Sequence, residues 1–154
     1  MVREAPSASP SGISYLVGHL DRLVRRRLSE ALSPLGLTIQ QYTALSVLGA
    51  RGQLSNAQLA ERSLVTPQSA NEMVKGMVKR GWIERAAAPR HGRIIHLSLT
   101  SAGHEVLNQA HSAAARFEHA MLEGMSKQEQ QRYREYLGAS VRALSQVSVD
   151  PASS

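Results

Sequence analysis

Two short helical patterns stand close together between residues 55 and 81, and their spacing constrains the fold more than any other feature of the sequence. The first pattern has Leu59 and Ala60 as its apolar contacts. The second begins at Thr66, a residue type that favours helix N-caps, and Pro67 follows where its missing N–H costs nothing. Because only a short turn separates the two patterns, the apolar side of the second helix must pack on the first. The segment is therefore predicted to form a helix-turn-helix pair.

Apolar periodicity and capping signals predict four further helices. A stripe of apolar residues at helical spacing predicts one long amphipathic helix over residues 13–32, which ends before the breaker "SPLG". Capping boxes, in which Ser or Thr precedes Gln or Glu by three residues, mark helix starts at Thr38, Ser55 and Ser126. Thr100 caps the remaining long helix.

Between residues 82 and 100 the apolar period changes from that of a helix to that of a strand. Ile95, Leu97 and Leu99 alternate with residues of the other face, and "WIERA" can pair with them across the tip "AAPRHG". The element order is thus four helices, a hairpin and two helices. The predicted fold class is mainly α: a winged helix-turn-helix with long flanking helices that form a dimerisation layer.

The composition limits the classes of function. Lys and Arg number 18 against 12 Asp and Glu, and this basic balance favours nucleic acid or an anionic membrane as partner. The absence of cysteine excludes a disulfide framework, thiolate catalysis and a Cys-ligated zinc site. We find no long apolar run, signal peptide or catalytic motif such as a P-loop. We therefore expect a cytoplasmic protein that is not an enzyme and holds no cofactor.

The exposed side of the helix that follows Thr66 carries groups that suit DNA. An α-helix fits the major groove, where Gln and Asn can bond adenine through two hydrogen bonds and Lys can reach guanine or phosphate. Short hydroxyl side chains and the free N–H groups of the first turn suit phosphate oxygens. These polar residues are Gln68, Ser69, Asn71, Lys75 and Lys79. An ordinary solvated surface is the alternative interpretation of the same pattern.

Basic residues concentrate between this helix and the hairpin tip. From Lys75 to Arg93 there are six basic residues and a single acid, Glu84. Arg90 and Arg93 share a turn with Pro and Gly, so they can project from a protruding loop toward a narrow, electronegative minor groove. A run of charge is more often just a solvated face, but two basic elements beside a groove-sized helix favour a DNA interface.

Three segments of the chain resemble the MarR (multiple antibiotic resistance regulator) family of winged helix-turn-helix regulators. They are "LSPLGLTIQQYTALSVL", "LSNAQLAERSLVTPQSANEMVKGMVKRGWIER" and "GRIIHLSLTSAGHEVL". The first is similar to the family's segment before the DNA-contacting helices, the second to those helices, including "VTPQ", and the third to the second wing strand with its closing "LT..G". The resemblance runs from about Leu16 to Leu144.

The resemblance implies an obligate homodimer with interlocked first and last helices, a palindromic operator in double-stranded DNA and usually repression. By position it places Pro67, Gln68, Ser69, Asn71 and Lys75 at the major groove and Arg93 in the minor groove. The family usually has an Asp two residues before the wing arginine, where this chain has His91. We therefore expect Arg93 to be less rigidly held. The full predicted DNA-binding set is Ser55, Thr66, Pro67, Gln68, Ser69, Asn71, Lys75, Lys79, Arg90 and Arg93.

The resemblance also implies a small-molecule effector. Many members of the family bind phenolic or other aromatic compounds in a crevice between the dimer layer and the DNA-binding lobe, and such binding releases the DNA. Tyr15, His19 and Tyr42 each offer an apolar ring with a polar tip, which suits an aromatic acid or phenol. We predict that these three residues line the crevice, with ordinary interface packing as the alternative for each.

The six histidines raise metal sensing as a competing function, since some relatives sense zinc. No two of them are spaced three or four residues apart. His104 and His111 share a helix face but lie about 10 Å apart along it, too far to bind one ion together. We predict no metal site, and a zinc-responsive regulator of the same fold stays the alternative. A non-specific nucleic-acid-binding module is the less favoured one.

We therefore expect one domain over residues 13–147, with a disordered N-terminal tail at residues 1–12 and a polar tail at residues 148–154. Residues 13–33 and 100–147 are the predicted dimerisation helices, and residues 38–99 form the winged helix-turn-helix DNA-binding lobe. "RLVRRRL" is basic enough for a membrane surface, but its apolar side continues the first helix's stripe, so no membrane partner is expected. The predicted function is a homodimeric, sequence-specific repressor released from a palindromic operator by a small aromatic ligand.

Overall fold

The computed structural model describes residues 12–88 and 91–147 and is mainly α-helical. The helices are α1 (Ile13–Leu32), α2 (Ile39–Arg51), α3 (Asn56–Arg62), α4 (Pro67–Lys79), α5 (Ser101–Met121) and α6 (Lys127–Ser145). The strands are β1 (Leu54–Ser55), β2 (Ile83–Ala88) and β3 (His91–Leu99). The predicted fold class, a mainly α winged helix-turn-helix, is confirmed. The predicted tails lie outside the described residues, except Gly12, which is the N-cap of α1.

The capping signals act where the sequence predicts. At the start of α2 the Thr38 hydroxyl accepts the Gln41 N–H at 3.1 Å, and the Gln41 side chain accepts the Thr38 N–H at 3.0 Å. The same reciprocal pairs form at the starts of α3 and α6. After α1, a short 3₁₀ turn ends at Gly36, whose φ of 67° lies in the left-handed region that glycine adopts without strain. These local bonds set the helix ends.

The three strands form one antiparallel sheet in the order β1-β3-β2. β2 and β3 make the predicted hairpin, although residues 89 and 90 of its predicted tip lie outside the described part of the chain. β1 was not predicted: Leu54 lies opposite Leu97 in a segment that the sequence marks only as a helix breaker. Leu97 and Leu99 are buried, whereas Ile95 is 53% exposed, so the predicted alternation places side chains in the core only at the base of the hairpin.

The hydrophobic core joins α2, α3, α4, the sheet and the first part of α5. At its centre, Leu45, Leu48, Leu59 and Met77 are completely buried. Helix α5 approaches the start of the wing so closely that a β-carbon on Gly103 would lie 2.0 Å from the Trp82 carbonyl oxygen. This close approach fixes α5 against the segment that follows α4.

The chain divides into two compact units within α5: the first ends at Phe117 and the second begins at Glu118. The first part of α5 therefore packs with the winged lobe: Val106, Leu107 and Ala110 belong to its core. The dimerisation role of residues 100–147 stays a prediction. No helix within residues 12–88 and 91–147 is both long and apolar enough to cross a membrane.

Candidate nucleic-acid interface

Helix α4 has two sharply different sides. Ala70, Val74 and Met77 are buried, and this side packs against α3 and the core. The opposite side is exposed and carries the polar residues that the sequence analysis singled out, Gln68, Ser69, Asn71, Lys75 and Lys79. A continuous polar surface of this length, on a helix supported from behind by a rigid core, can enter a groove of DNA.

The first turn of α4 is held in place by hydrogen bonds. The Thr66 hydroxyl accepts the Ser69 N–H at 3.1 Å and donates to the Ser69 hydroxyl at 2.9 Å. The side-chain amide of Asn56, at the start of α3, donates to the Pro67 carbonyl at 3.3 Å. The remaining N–H groups of the first turn, at the positive end of the helix, are therefore presented in a fixed direction to an anion.

Besides Thr66 and Ser69, two further predicted DNA-binding residues have partners in the structure. The half-buried Ser55 accepts the Gln58 N–H at 3.2 Å and so caps α3, and its DNA contact stays a prediction. Lys75 donates to the Glu72 carboxylate at 2.9 Å, and both side chains are more than half exposed. An exposed pair of this kind is worth at most about 1 kcal/mol, so a phosphate can replace the carboxylate as partner of Lys75.

The wing contributes an exposed arginine at a known position. Arg93 lies on β3 with its side chain in solvent, and Arg85 on β2 is also exposed. Arg90 lies outside the described residues, as does the side chain of His91. Of the two predicted wing arginines, Arg93 is therefore the one that the structure describes, and it lies on the strand that follows the hairpin tip.

Arg80, which the sequence analysis counted only among the basic residues, ties α4 to the rest of the lobe. Its guanidinium donates to the Gly36 carbonyl and lies 4.2 Å over the centre of the Trp82 ring. The hydrogen bond anchors the C-terminal end of α4 to the turn after α1, and the cation–π contact holds the guanidinium over the ring of Trp82. Gly36 lies 44 positions from Arg80 in the sequence, so no local pattern signals this hydrogen bond, whereas Trp82 is close to Arg80 in the chain.

The structure divides the predicted effector residues between two ring pairs. Tyr15 and His19 lie one helical turn apart on α1 with ring centres at 6.1 Å. Tyr42 on α2 instead meets the His111 ring on α5 edge-on at 5.7 Å, and His111 was not among the predicted residues. A cavity of about 470 Å³ lies between the end of α1 and α5, near Leu35 and Arg116, and none of the three predicted residues lines it.

Ionisable groups elsewhere do not assemble a metal or acid–base centre in the described ranges. Over residues 12–88 and 91–147, no three His, Asp or Glu side chains lie close enough to hold a metal ion. Hydrogen bonds from Arg26 and Arg27 lower the pKa of Glu30 on α1. The Ser126 backbone N–H and hydroxyl lower the pKa of Glu129 in the capping box of α6. Both carboxyls act within their own helices.

The comparisons with known proteins agree with this geometry. Residues 35–94 match the model of the MarR family. The HTH-type transcriptional repressor Rv2887 of Mycobacterium tuberculosis (strain ATCC 25618 / H37Rv) is 28% identical over 130 residues, which cover 84% of this chain and 94% of the relative. The HTH-type transcriptional regulator Mb0904 of Mycobacterium bovis, described as uncharacterized, is 31% identical over 103 residues, 67% of this chain and 69% of the relative.

Solved structures show the same fold. The complex of Rv2887 with salicylic acid is 28% identical and superposes with a TM-score of 0.70, covering 86% of this chain and 98% of that chain. A MarR mutant from E. coli complexed with operator DNA is 24% identical, with a TM-score of 0.70 and coverage of 84% and 92%. Taken with the polar face of α4 and the basic wing, these matches mean that the chain belongs to the MarR family of winged helix-turn-helix transcription regulators.

Proposed function

We propose that the protein is a homodimeric repressor that binds a palindromic operator through α4 and Arg93 and leaves it when a small aromatic ligand binds. The observation that carries this proposal is the exposed polar face of α4, which stands opposite a fully buried face. The relative that was crystallised with operator DNA shares the fold and so supports the same use of this face. Because the target is DNA, we place the protein in the cytoplasm.

Exposed apolar side chains support the homodimer. On α1, Leu16, Val17 and Leu23 are each about half exposed, although they belong to the apolar stripe of that helix. On α6, Val141 is 65% and Leu144 is 75% exposed. Apolar surface of this extent is a mark of a protein–protein interface. A symmetric dimer presents two copies of α4, which matches half-sites about 34 Å apart in a palindrome.

The aromatic effector is supported by the relative Rv2887, whose structure was solved with salicylic acid. In this chain, the Tyr15–His19 and Tyr42–His111 ring pairs supply aromatic surface and polar tips on α1, α2 and α5. A ligand that binds there weakens operator binding only if it prefers the arrangement that does not fit the half-sites.

Operator binding by α4 variants tests the proposal. Gln68→Ala and Asn71→Ala should each cost roughly 1–3 kcal/mol on the operator and relax base preference at one position per half-site. Gln128→Ala, an exposed glutamine on α6, is the matched control and should bind like the wild type. Unchanged operator affinity in both α4 variants would exclude α4 as the recognition helix.

The same assay, titrated with aromatic carboxylates and phenols, tests the effector. These compounds should lower operator affinity, and His19→Ala or Tyr42→Phe should shift the effective dose. Zinc and a chelator form separate arms of the experiment. If zinc or chelation alone releases the DNA and every aromatic compound is inert, the zinc-responsive alternative replaces the proposal.

A further inference from the structure

Glu72 lies in the middle of the exposed side of α4. Since each residue of an α-helix advances by about 100°, Glu72 lies about 40° around the axis from Gln68 and about 20° from Lys79. Its side chain is 66% exposed, whereas Ala70 and Met77 on the opposite side are completely buried. A helix that turns Gln68 and Lys79 toward DNA therefore turns Glu72 toward it as well.

The carboxylate of Glu72 stays accessible in this position. Its ion pair is with Lys75, at 2.9 Å, on one side of the polar face. On the other side, Glu72 lines a notch of about 450 Å³ between the first turns of α2 and α4. The other polar side chains that line this notch are uncharged: Thr38, Gln40, Gln41, Gln68 and Ser69. The carboxylate is thus partly neutralised by Lys75 and remains free to accept a hydrogen bond from a ligand.

DNA offers this carboxylate few favourable partners. Phosphate oxygens and the major-groove edge of guanine, with its N7 and O6 acceptors, repel an ionised carboxylate, which can only accept hydrogen bonds. Adenine presents an amino group beside the N7 acceptor, so an amide such as that of Gln68 fits it better. Cytosine presents the N4 amino donor without an adjacent acceptor of its own, and it is the base whose edge matches a carboxylate best.

We propose that Glu72 accepts a hydrogen bond from the N4 amino group of a cytosine and thereby selects a C·G pair at one position of each half-site. The inference rests on the proposed function of α4 as the recognition helix. The Lys75 ammonium lies 2.9 Å from the carboxylate and offsets its repulsion from nearby phosphates. Unmatched base edges and phosphates repel the carboxylate and so lower affinity for other sequences. The same side chain therefore raises affinity for one base and lowers it for the others.

The test compares Glu72→Gln and Glu72→Ala with the wild-type dimer on a site obtained by selection from random duplexes. Binding is measured on that site, on versions with each base pair replaced in turn, and on an unrelated duplex. The wild type should prefer C·G at one position per half-site by at least about tenfold. Glu72→Ala should abolish that preference, and Glu72→Gln should shift it toward A·T, because a glutamine amide bonds adenine through two hydrogen bonds.

Affinity for the unrelated duplex provides a second readout. Both variants free Lys75 for a phosphate, so the slope of log K against log salt should steepen by about 0.9. Glu105→Gln, which makes the same change in net charge at an exposed position on α5, is the control and should leave base preference unchanged. If both Glu72 variants strengthen binding to every duplex by one common factor, with base preferences intact, Glu72 is only a repulsive charge and the inference is wrong.

Different results would exclude the role of Glu72 and the role of α4 as the recognition helix. If only the role of Glu72 is wrong, the base preferences of the wild-type protein will depend on Gln68 and Asn71 but not on Glu72. A wild type without preference at any position, or one indifferent to Gln68→Ala and Asn71→Ala, overturns the proposed recognition helix and the inference with it.

Discussion

Leu64, in the turn between α3 and α4, should be a site where a glycine stabilises the protein. Its φ of 56° lies in the left-handed region, and its side chain is 93% exposed. The left-handed conformation costs a residue with a β-carbon about 1–2 kcal/mol, which glycine avoids. Glycine in turn adds freedom to the unfolded chain at a cost of about 0.5–1 kcal/mol. Because little apolar burial is lost, Leu64→Gly should raise the free energy of unfolding by about 0.5–1 kcal/mol.

Urea unfolding followed by circular dichroism measures this change. With a slope of about 2 kcal/mol per molar urea, the midpoint should rise by roughly 0.25–0.5 M at fixed protomer concentration. Leu64→Ala is the control, since it removes the same side chain but keeps the β-carbon and its strain. A midpoint for Leu64→Gly at or below that of the wild type would refute the reasoning and would mean that the leucine side chain itself stabilises the turn.

Three further predictions test the close packing of α5, the wing and the last helix. In thermal melts, Gly103→Ala should destabilise the protein by about 3 kcal/mol or more, because its β-carbon would meet a backbone carbonyl at 2.0 Å. Gly76→Ala, whose β-carbon would have nothing within 4 Å, should instead stabilise α4 by about 0.5–1 kcal/mol. Arg93→Ala should weaken operator binding and flatten the salt dependence of log K by about 0.9, and an unchanged slope would remove this arginine from the DNA interface. An NMR titration should give Glu129 a pKa below its ordinary value of about 4.3, and Ser126→Ala should raise it again. Since that pKa is lowered in the folded state, the stabilisation of the fold by this carboxylate is complete above the ordinary pKa and is lost as the pH falls through the lowered one. Because Ser126→Ala keeps the backbone N–H, the rise should be partial, and a Glu129 pKa unaffected by this variant would contradict the contribution of the Ser126 hydroxyl.

The sequence predicts the elements whose signals are local. Thr38, Ser55 and Ser126 begin helices because each bonds a residue three positions later, and this pattern is visible in the sequence. The two sides of α4 follow from the 3.6-residue period in the same way. The same period places Glu72 one turn after Gln68 on the exposed side of α4, but an acidic side chain does not belong to the basic pattern that indicates a DNA-binding surface.

Features that depend on distant parts of the chain could not be predicted. β1 is two residues long and exists because Leu54 meets Leu97, more than 40 positions later. The Tyr42–His111 ring contact likewise joins α2 to α5, and no spacing in the sequence indicates that these two residues meet. Contacts of this kind arise only when the elements pack, and each leaves no periodic trace in either segment.

The contacts of Arg80 with Gly36 and Trp82 limit the movements through which the proposed ligand response can work. The first turn of α4 is held by the Asn56–Pro67 hydrogen bond, its last by the hydrogen bond from Arg80 to Gly36, and its inner side is buried, so we expect α4 to move together with its lobe. Under the proposed function, we expect a displacement of the turn after α1 to move the whole lobe as a rigid body. In the proposed dimer, switching would then change the distance between two unaltered recognition surfaces, and we expect an operator with longer or shorter spacing to favour one arrangement of that dimer over the other.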